Sequence, residues 1–500
     1  MSVGPEQTVW VLGDQLDRRA PTLRDAEPAQ TRVLLVTSTT AATARAWHRQ
    51  RLHAVLASMA RFAAALRAEG FEVDERRAPT LAEGLEAHRA ELRPRSVRAV
   101  EPTSWDAMAM MRRQGVELVR SEAFLCHREL FARWAGERPG RLRMEDFYRW
   151  QRRRLGYLMD ADQPAGGRWN HDGDNRLPPP RDGRRWPEPV LDHLDGLDAE
   201  IVASLPQGCV GDPPSGWWPT DRAGALERLE RFVSEGLASF GPYEDAMLAG
   251  EARLAHSGLS QALNLGLLHP SEVCDAVELA YRAGKVPIAS AEGMLRQVIG
   301  WREYVWGLYW LWMPEYRDCN ALDARRALPP AFTGAPTAMR CVSITVAGIV
   351  ARGWVHHIQR LMVLGNLALL AGVEPRAMVE WMQSAFVDGA EWVMLPNLVG
   401  MALHADGGRM ATKPYAAGGA YINRMSDYCK GCAFDPRQRT GERACPYTTL
   451  YWDFLDRHRQ RLARNPRTAQ QVRGLDRLAD LPEVRRRAGV VLDRLDSGEL

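Results

Sequence analysis

Cys429-Lys430-Gly431-Cys432, followed by Cys445-Pro446, is the sharpest concentration of reactive side chains in this chain. Two cysteines separated by two residues put both sulfurs on one tight turn, the geometry that chelates a metal centre. Three thiolates leave one coordination place open, and Cys341, at the start of a predicted helix, is the candidate fourth ligand. Zinc and a cubane iron–sulfur cluster both accept four thiolates, and spacing alone slightly favours zinc. Free thiols are the weaker alternative. Cys126, Cys209, Cys274 and Cys319 are scattered, and each reads as a small apolar side chain.

Other chemistry-bearing groups lie upstream. The stretch EARLAHSGLSQALNLGLL (251–268) puts His256, Ser257, Leu259 and Ser260 where a helix begins, with free backbone N–H groups suited to phosphates. A capped helix is the ordinary explanation if that stretch is taken alone. EGMLRQVIGWREYVWGLYWLW (292–312) spaces Gln297, Trp301 and Trp306 along adjoining helix faces. GWVHHIQR (353–360) carries adjacent histidines, His356 and His357, suited to acid–base work near neutral pH. FVDGAEWVMLPN (386–397) offers Asp388, Glu391 and Asn397 as polar contacts for a bound heterocycle.

These residues need a scaffold, and the chain divides into three textures. Residues 1–139 alternate strands (8–12, 32–36, 71–73, 96–100) with helices such as 47–70, which predicts an α/β domain with a parallel sheet wound by helices. Ligands in such sheets sit beyond the carboxyl ends of the strands, so Gly13, Asp14 and Gln15 form a candidate small-molecule site. Residues 140–220 include a Gly-, Pro-, Asp- and Trp-rich connection with tryptophans as anchors. From 221 to 500 the pattern is helical, with the clearest segments at 222–240, 271–282, 290–312, 341–372, 374–386 and 448–464.

A hydrophobic share of 46% and a charged share of 25% fit a soluble globular protein. The apolar run 361–373 is too short to span a bilayer, and no signal peptide is visible, so a cytoplasmic protein without membrane association is expected. Reducing conditions there keep thiols free of disulfides. Arginine-rich stretches at 149–154, 181–185 and 437–467 suit nucleic-acid phosphates, although solvated faces explain any one of them equally well.

In order, HSGLSQALNLGLL, LRQVIGWREY, GWVHHIQR and DGAEWVMLPN resemble the flavin domain of photolyases and cryptochromes. With KPYAAGGAYINRMSDYCKGC they resemble one branch, the iron–sulfur bacterial cryptochromes and photolyases, also called prokaryotic (6-4) photolyases. The match runs from VLGDQL through FYRWQRRRLGYLMD and GGRWNHDGDNR to about Arg464.

The resemblance implies the photolyase fold, an α/β domain linked to an all-helical domain that holds FAD. It assigns a [4Fe-4S] cluster to Cys341, Cys429, Cys432 and Cys445. It places the flavin phosphates at His256, Ser257, Leu259 and Ser260, the Arg360–Asp388 pair beside the isoalloxazine, and Glu391 and Asn397 at the ring's polar edge. His357 with His356, together with Asp245 and Tyr415, would meet the lesion. The implied activity is light-driven electron transfer to (6-4) photoproducts in UV-damaged DNA by a monomer. The lesion flips out of the duplex, and a histidine, ordinarily titrating near 6.5, supplies a proton. Asp172 and Asp174 are candidate ligands for Mg²⁺ against DNA phosphates, or an Asp-rich turn capping its own backbone.

Three positions depart from the branch pattern. Phe332 stands where a tryptophan is usual and Met382 where a tyrosine is common, which interrupts the photoreduction chain beyond Trp381 and leaves Trp306, Trp310 or Trp392 as substitutes. Thr37 replaces an acid in the antenna site, where with Gly13, Asp14 and Gln15 the family binds 6,7-dimethyl-8-ribityllumazine. Rival functions are a cryptochrome-type blue-light photoreceptor and a cyclobutane pyrimidine dimer photolyase with the same cofactors. A zinc-stabilised nucleic-acid module would leave the flavin-like motifs unexplained.

Overall fold

In the computed structural model, which describes residues 6–500, strands β1 (Gln7–Val11), β2 (Thr31–Ser38), β3 (Glu72–Ala78), β4 (Ser96–Val100) and β5 (Glu117–Val119) form one parallel sheet in the order β3-β2-β1-β4-β5. The central β1 and β2 are nearly continuous apolar runs because helices cover both faces of the sheet. The edge strand β3 carries Glu72, Asp74, Glu75, Arg76 and Arg77, charges that discourage further strand pairing. The order of strand addition reverses between β1 and β4, so the loop after β1, Gly13–Gln15, and the loop after β4, which carries Thr103, meet at the switch point.

The remainder is largely helical. Phe147 and Tyr304 each pack edge-on against Phe131 and Trp134, which fastens the helices Arg128–Gly136 and Met144–Leu155 to Glu303–Trp312. Gly307 makes this contact possible, since a Cβ there would lie 2.1 Å from the Phe131 ring. In the Gly- and Pro-rich connection only Gly196–Ser204 forms an α-helix of substance, opened by an Asp195–Asp198 capping box. Trp186 and Trp218 are its buried anchors, Trp218 against Trp354.

The helix expected over 341–372 is two helices. Arg340–Arg352 ends at Gly353, which adopts φ +61 as a left-handed cap. The chain then crosses Trp354 and Val355 outside any helix or strand and begins a second helical stretch at His357, wide-turned over Gln359–Gly365. The histidines therefore stand at a helix start, where side chains converge on a site. Three further wide turns occur, at Phe232–Gly236, Arg296–Arg302 and Asn397–Ala402. Such bulges free a backbone carbonyl and recur at functional sites.

The α/β unit is docked on the helical half by backbone groups. Leu16 N donates to Leu265 O at 2.8 Å and His48 N to Ser384 O at 3.0 Å. Arg51 reaches Phe386 O at 2.9 Å, and the Trp105 N–H donates to the Tyr309 hydroxyl at 2.8 Å.

Candidate functional site

The centre of the helical half is a clamp between Arg360 and Asp388, with paired bonds of 2.9 and 3.0 Å. Arg360 is oriented by its Nε bond to Val355 O (2.7 Å) and by stacking over Phe386 at 4.2 Å. Asp388 also accepts from the Ser260 hydroxyl at 2.6 Å, and Asn264 Nδ2 donates to its backbone carbonyl at 3.0 Å. The short helix Ser260–Leu265 thus presents both residues to the clamp. The turn after Asp388 admits only glycine, because a Cβ on Gly389 would lie 2.6 Å from Gln383 O.

Beside the clamp, the imidazoles of His256 and His356 stack at 4.3 Å and 14°. Both ring nitrogens of His356, and Nε2 of His256, are buried without partners. Orphaned buried nitrogens are costly, so this corner is built to receive polar ligand atoms. It suits a flavin nucleotide with its phosphates at His256–Ser260. His357 opens its ring onto a deep recess while protein surrounds it on the other sides. Burial, and then the Arg360 charge, lower its pKa to about 4. The protein alone therefore keeps His357 neutral at pH 7, below the 6.5 expected of a histidine, and only a bound anion can raise it.

Arg176 and Asp172 act on both Asp245 and Tyr415, which brings those two predicted residues into one neighbourhood. Burial raises Asp245 to about 6 and the adjacent Glu244 to about 8. Glu244 is part of a buried group that the motifs did not reveal. Arg296 lies 3.0 Å from Asp172, 3.5 Å from Glu292 and 3.8 Å from Glu244, so the most distant carboxylate gains least from its charge. The side chains come from separate segments, and no sequence spacing could have announced them. Asp172 is ion-paired to Arg176 and Arg296, and Asp174 to Arg168. The expected magnesium carboxylates thus face different arginines and share no oxygen site.

Cys341, Cys429, Cys432 and Cys445 line one cavity with Met339, Gly419, Ile422, Tyr428, Phe434 and Tyr447. Burial, then the other three thiols, push the Cys341 thiol up. Among the described residues no group of three or more His, Cys, Asp or Glu side chains is placed to hold a metal ion. A zinc ion needs four sulfurs within about 2.3 Å of a single centre. A cubane instead gives each cysteine its own corner iron, so four thiols around a shared void suit it better. The void is tight at Gly419, where a Cβ would lie 2.7 Å from Cys445 Sγ.

In the switch-point site, Gln15 Nε2 donates to Glu101 O at 2.9 Å, its Oε1 is buried and unpartnered, and Asp14 accepts from the Thr103 hydroxyl. Val55 and Met59 lie against Gly13. Thr37, near the end of β2, is half-buried. Glu391 belongs to the seam between the two halves. Its Oε2 accepts from Tyr309 at 3.0 Å, Arg317 is 3.6 Å away, and no hydrogen bond or ion pair joins it to the clamp. Asn397 donates to Val393 O within its own helix.

Trp381 packs at 5.3 Å from Phe332 and 6.1 Å from Phe386, the ring under Arg360, while Met382 is buried. A second aromatic row joins Trp392, Trp306, Trp310 and Trp105 through centroid separations of 5.8, 5.5 and 5.8 Å.

Residues 9–211 match the family described as deoxyribodipyrimidine photo-lyase-related protein. A (6-4) photolyase of Agrobacterium fabrum is 38% identical over 506 residues, covering 98% of this chain and 100% of that protein. Among solved structures, a bacterial class III photolyase from Agrobacterium tumefaciens superposes with TM-score 0.59 at 16% identity, covering 99% of this chain and 98% of that one. A Synechocystis cryptochrome superposes with TM-score 0.55 at 14% identity, covering 85% of this chain and 89% of that one. The structural likenesses carry the fold, and the full-length identity carries the relationship. The chain belongs to the photolyase/cryptochrome family, in its prokaryotic branch.

Proposed function

We propose that this protein is a light-driven (6-4) DNA photolyase that holds FAD at the Arg360–Asp388 clamp and a [4Fe-4S] cluster on Cys341, Cys429, Cys432 and Cys445. The observation that carries the reading is the open His357 ring beside that clamp, in a chain related along its whole length to a (6-4) photolyase. When bound, reduced FAD supplies the photo-excited electron. The protein's own part is to orient and to move a proton. Asp388 and Ser260 fix Arg360, Arg360 fixes the turn before the histidines, and His357 faces the recess that would admit a flipped base.

Electron transfer suffices to split a cyclobutane dimer, whereas a (6-4) lesion also needs a proton. His357 gains that proton when flavin and DNA phosphates bring negative charge to the recess. Asp245, held near 6 by burial, is a second group able to carry a proton. Arg176 and Arg424 are exposed near it and suit DNA phosphates. Lumazine at Gly13–Gln15 is the proposed antenna. The loss of an acid at Thr37 would weaken it by about 1.5–3 kcal/mol.

The test is illumination of the reduced holoprotein with oligonucleotides carrying either lesion, followed by chromatography of the products. Restored pyrimidines from the (6-4) lesion alone support the reading. Repair of cyclobutane dimers alone, or of neither lesion, overturns it, the latter in favour of a photoreceptor.

A further inference from the structure

Two tyrosines that flank cluster cysteines reach out of the cysteine cavity to the helix that starts at the lesion-site histidines. Tyr428 precedes Cys429, and Tyr447 lies just beyond Cys445. Both rings line the cavity and both are buried, at 1% and 0% exposure. The Tyr428 hydroxyl accepts from Gln359 Nε2 at 2.9 Å, and the Tyr447 hydroxyl donates to Val363 O at 2.8 Å. Gln359 and Val363 both belong to the wide-turned segment Gln359–Gly365.

Gln359 is bound at its other end as well. Its Oε1 accepts from the backbone N–H of His356 at 3.2 Å. This is half of a capping box, in which a side chain three residues into the helix satisfies the N–H of the residue before it. The amide orientation is settled chemically, because a backbone N–H can only donate and must face the oxygen. A continuous buried relay therefore runs from the His356 N–H through Gln359 to Tyr428 and the wall of the cysteine cavity.

A wide turn also breaks the regular ladder. Within it Val363 O accepts from the Asn366 N–H, and the Tyr447 hydroxyl is a second donor that ties this carbonyl to the cavity wall. With either hydroxyl removed, the segment would be free to relax toward a regular helix, which would rotate His357 relative to the Arg360–Asp388 clamp.

We propose that Tyr428, Tyr447 and Gln359 are positioning residues through which the occupied cysteine cavity holds the His356–His357 turn, so that cluster loading sets the geometry of the proton-bearing histidine. The cluster would then serve DNA repair as a brace for the lesion site. This rests on the functional reading above.

Tyr428→Phe and Tyr447→Phe each delete one hydroxyl and keep the ring against the cavity, so the holoprotein should retain iron, FAD and dark affinity for (6-4) DNA within twofold. Hydrogen–deuterium exchange of amides 356–365 should rise in each variant. Repair per photon should fall tenfold to a hundredfold, as expected when a reacting group is displaced by about an ångström. Its pH profile should shift, which a purely structural loss would not do. The double variant should be little worse than either single one, because both act on one segment. Chelating the iron from the parent should raise exchange over the same amides.

Unchanged exchange and an unchanged pH profile in both variants overturn the proposal, as does iron removal that leaves 356–365 undisturbed. His357→Ala separates the two levels. If it repairs like the parent, the catalytic reading fails. If it loses repair while the tyrosine variants behave as the parent, only the brace fails.

Discussion

The imidazole of His256 lies flat on that of His356, 4.3 Å between ring centres, and His256 Nε2 has neither a partner nor access to solvent. Burial, then the neighbouring His357 and the arginines Arg253 and Arg360, lower the pKa of His256 to about 3. An unfolded histidine binds its proton near 6.5. Between about pH 6.5 and 3 the unfolded chain is therefore protonated while the folded site is not, and stability falls as pH falls. His256→Phe keeps a stacked ring and removes this titration. In urea unfolding of the flavin-free protein, the variant should lose about 2 kcal/mol less than the parent between pH 7 and 4.

His357→Ala should retain FAD, the cluster and dark DNA binding, and lose (6-4) repair by about 10²–10⁴-fold, the usual cost of deleting a general acid. The parent's repair per photon should fall as pH rises through the ligand-raised pKa of His357. That limb should vanish in the variant. Equal yields per photon across pH would reduce His357 to a wall of the recess.

The cysteine cavity makes two claims on iron. Cys432→Ala removes a ligand and should abolish stable iron binding and the absorbance near about 400 nm. Gly419→Ala leaves all four thiols but sets a methyl group 2.7 Å from Cys445 Sγ, so iron per chain should fall while the folded yield stays higher than in Cys432→Ala. Iron and sulfide assays on both proteins decide it, and full iron content in Cys432→Ala would refute the ligand set.

Phe332 and Met382 are poor stepping-stones beside Trp381, because neither side chain is readily oxidised. Trp381→Phe should slow photoreduction strongly while chemically reduced enzyme still repairs. Phe332→Trp places an oxidisable ring where the Phe332 ring now packs 5.3 Å from Trp381, and should accelerate photoreduction severalfold. If neither change alters the rate by flash photolysis, the row Trp392–Trp306–Trp310–Trp105 is the source, and Trp306→Phe should then slow it.

Glu244, raised to about 8 by burial, favours its protonated form in the folded protein. Its contribution is present below the unfolded value near 4.5 and is lost as pH rises through about 8. Glu244→Gln should be near-neutral at pH 5 and stabilising by about 1–3 kcal/mol at pH 9. Chemical denaturation at both values checks the sign.

The chemistry legible in the sequence was local. Cys429-x-x-Cys432, the FVDGAEWVMLPN motif with Asp388 and the histidine pair are short-range patterns, and the strands β1, β2 and β4 follow from their apolar runs. What the sequence concealed was decided by distant partners. The apolar pattern over 341–372 reads as one helix, but the left-handed backbone of Gly353 ends that helix and turns the histidines into the start of another. Glu391 sits in a flavin-like motif, yet Tyr309 draws it to the seam. The carboxylates around Arg296 come from segments far apart in the chain, and only their shared burial makes them a unit.

The bond from Leu16 N to Leu265 O joins the loop that carries Gln15 to the end of the helix that carries Ser260 and Asn264. Resonance energy transfer depends on the separation and mutual angle of two transition dipoles. A pigment seated on Gly13–Gln15 and an acceptor seated at the clamp would share one rigid backbone junction, so neither quantity could drift as the molecule breathes. Light collected at the sheet's edge would then reach the clamp with an efficiency set by the fold and insensitive to whether DNA is bound.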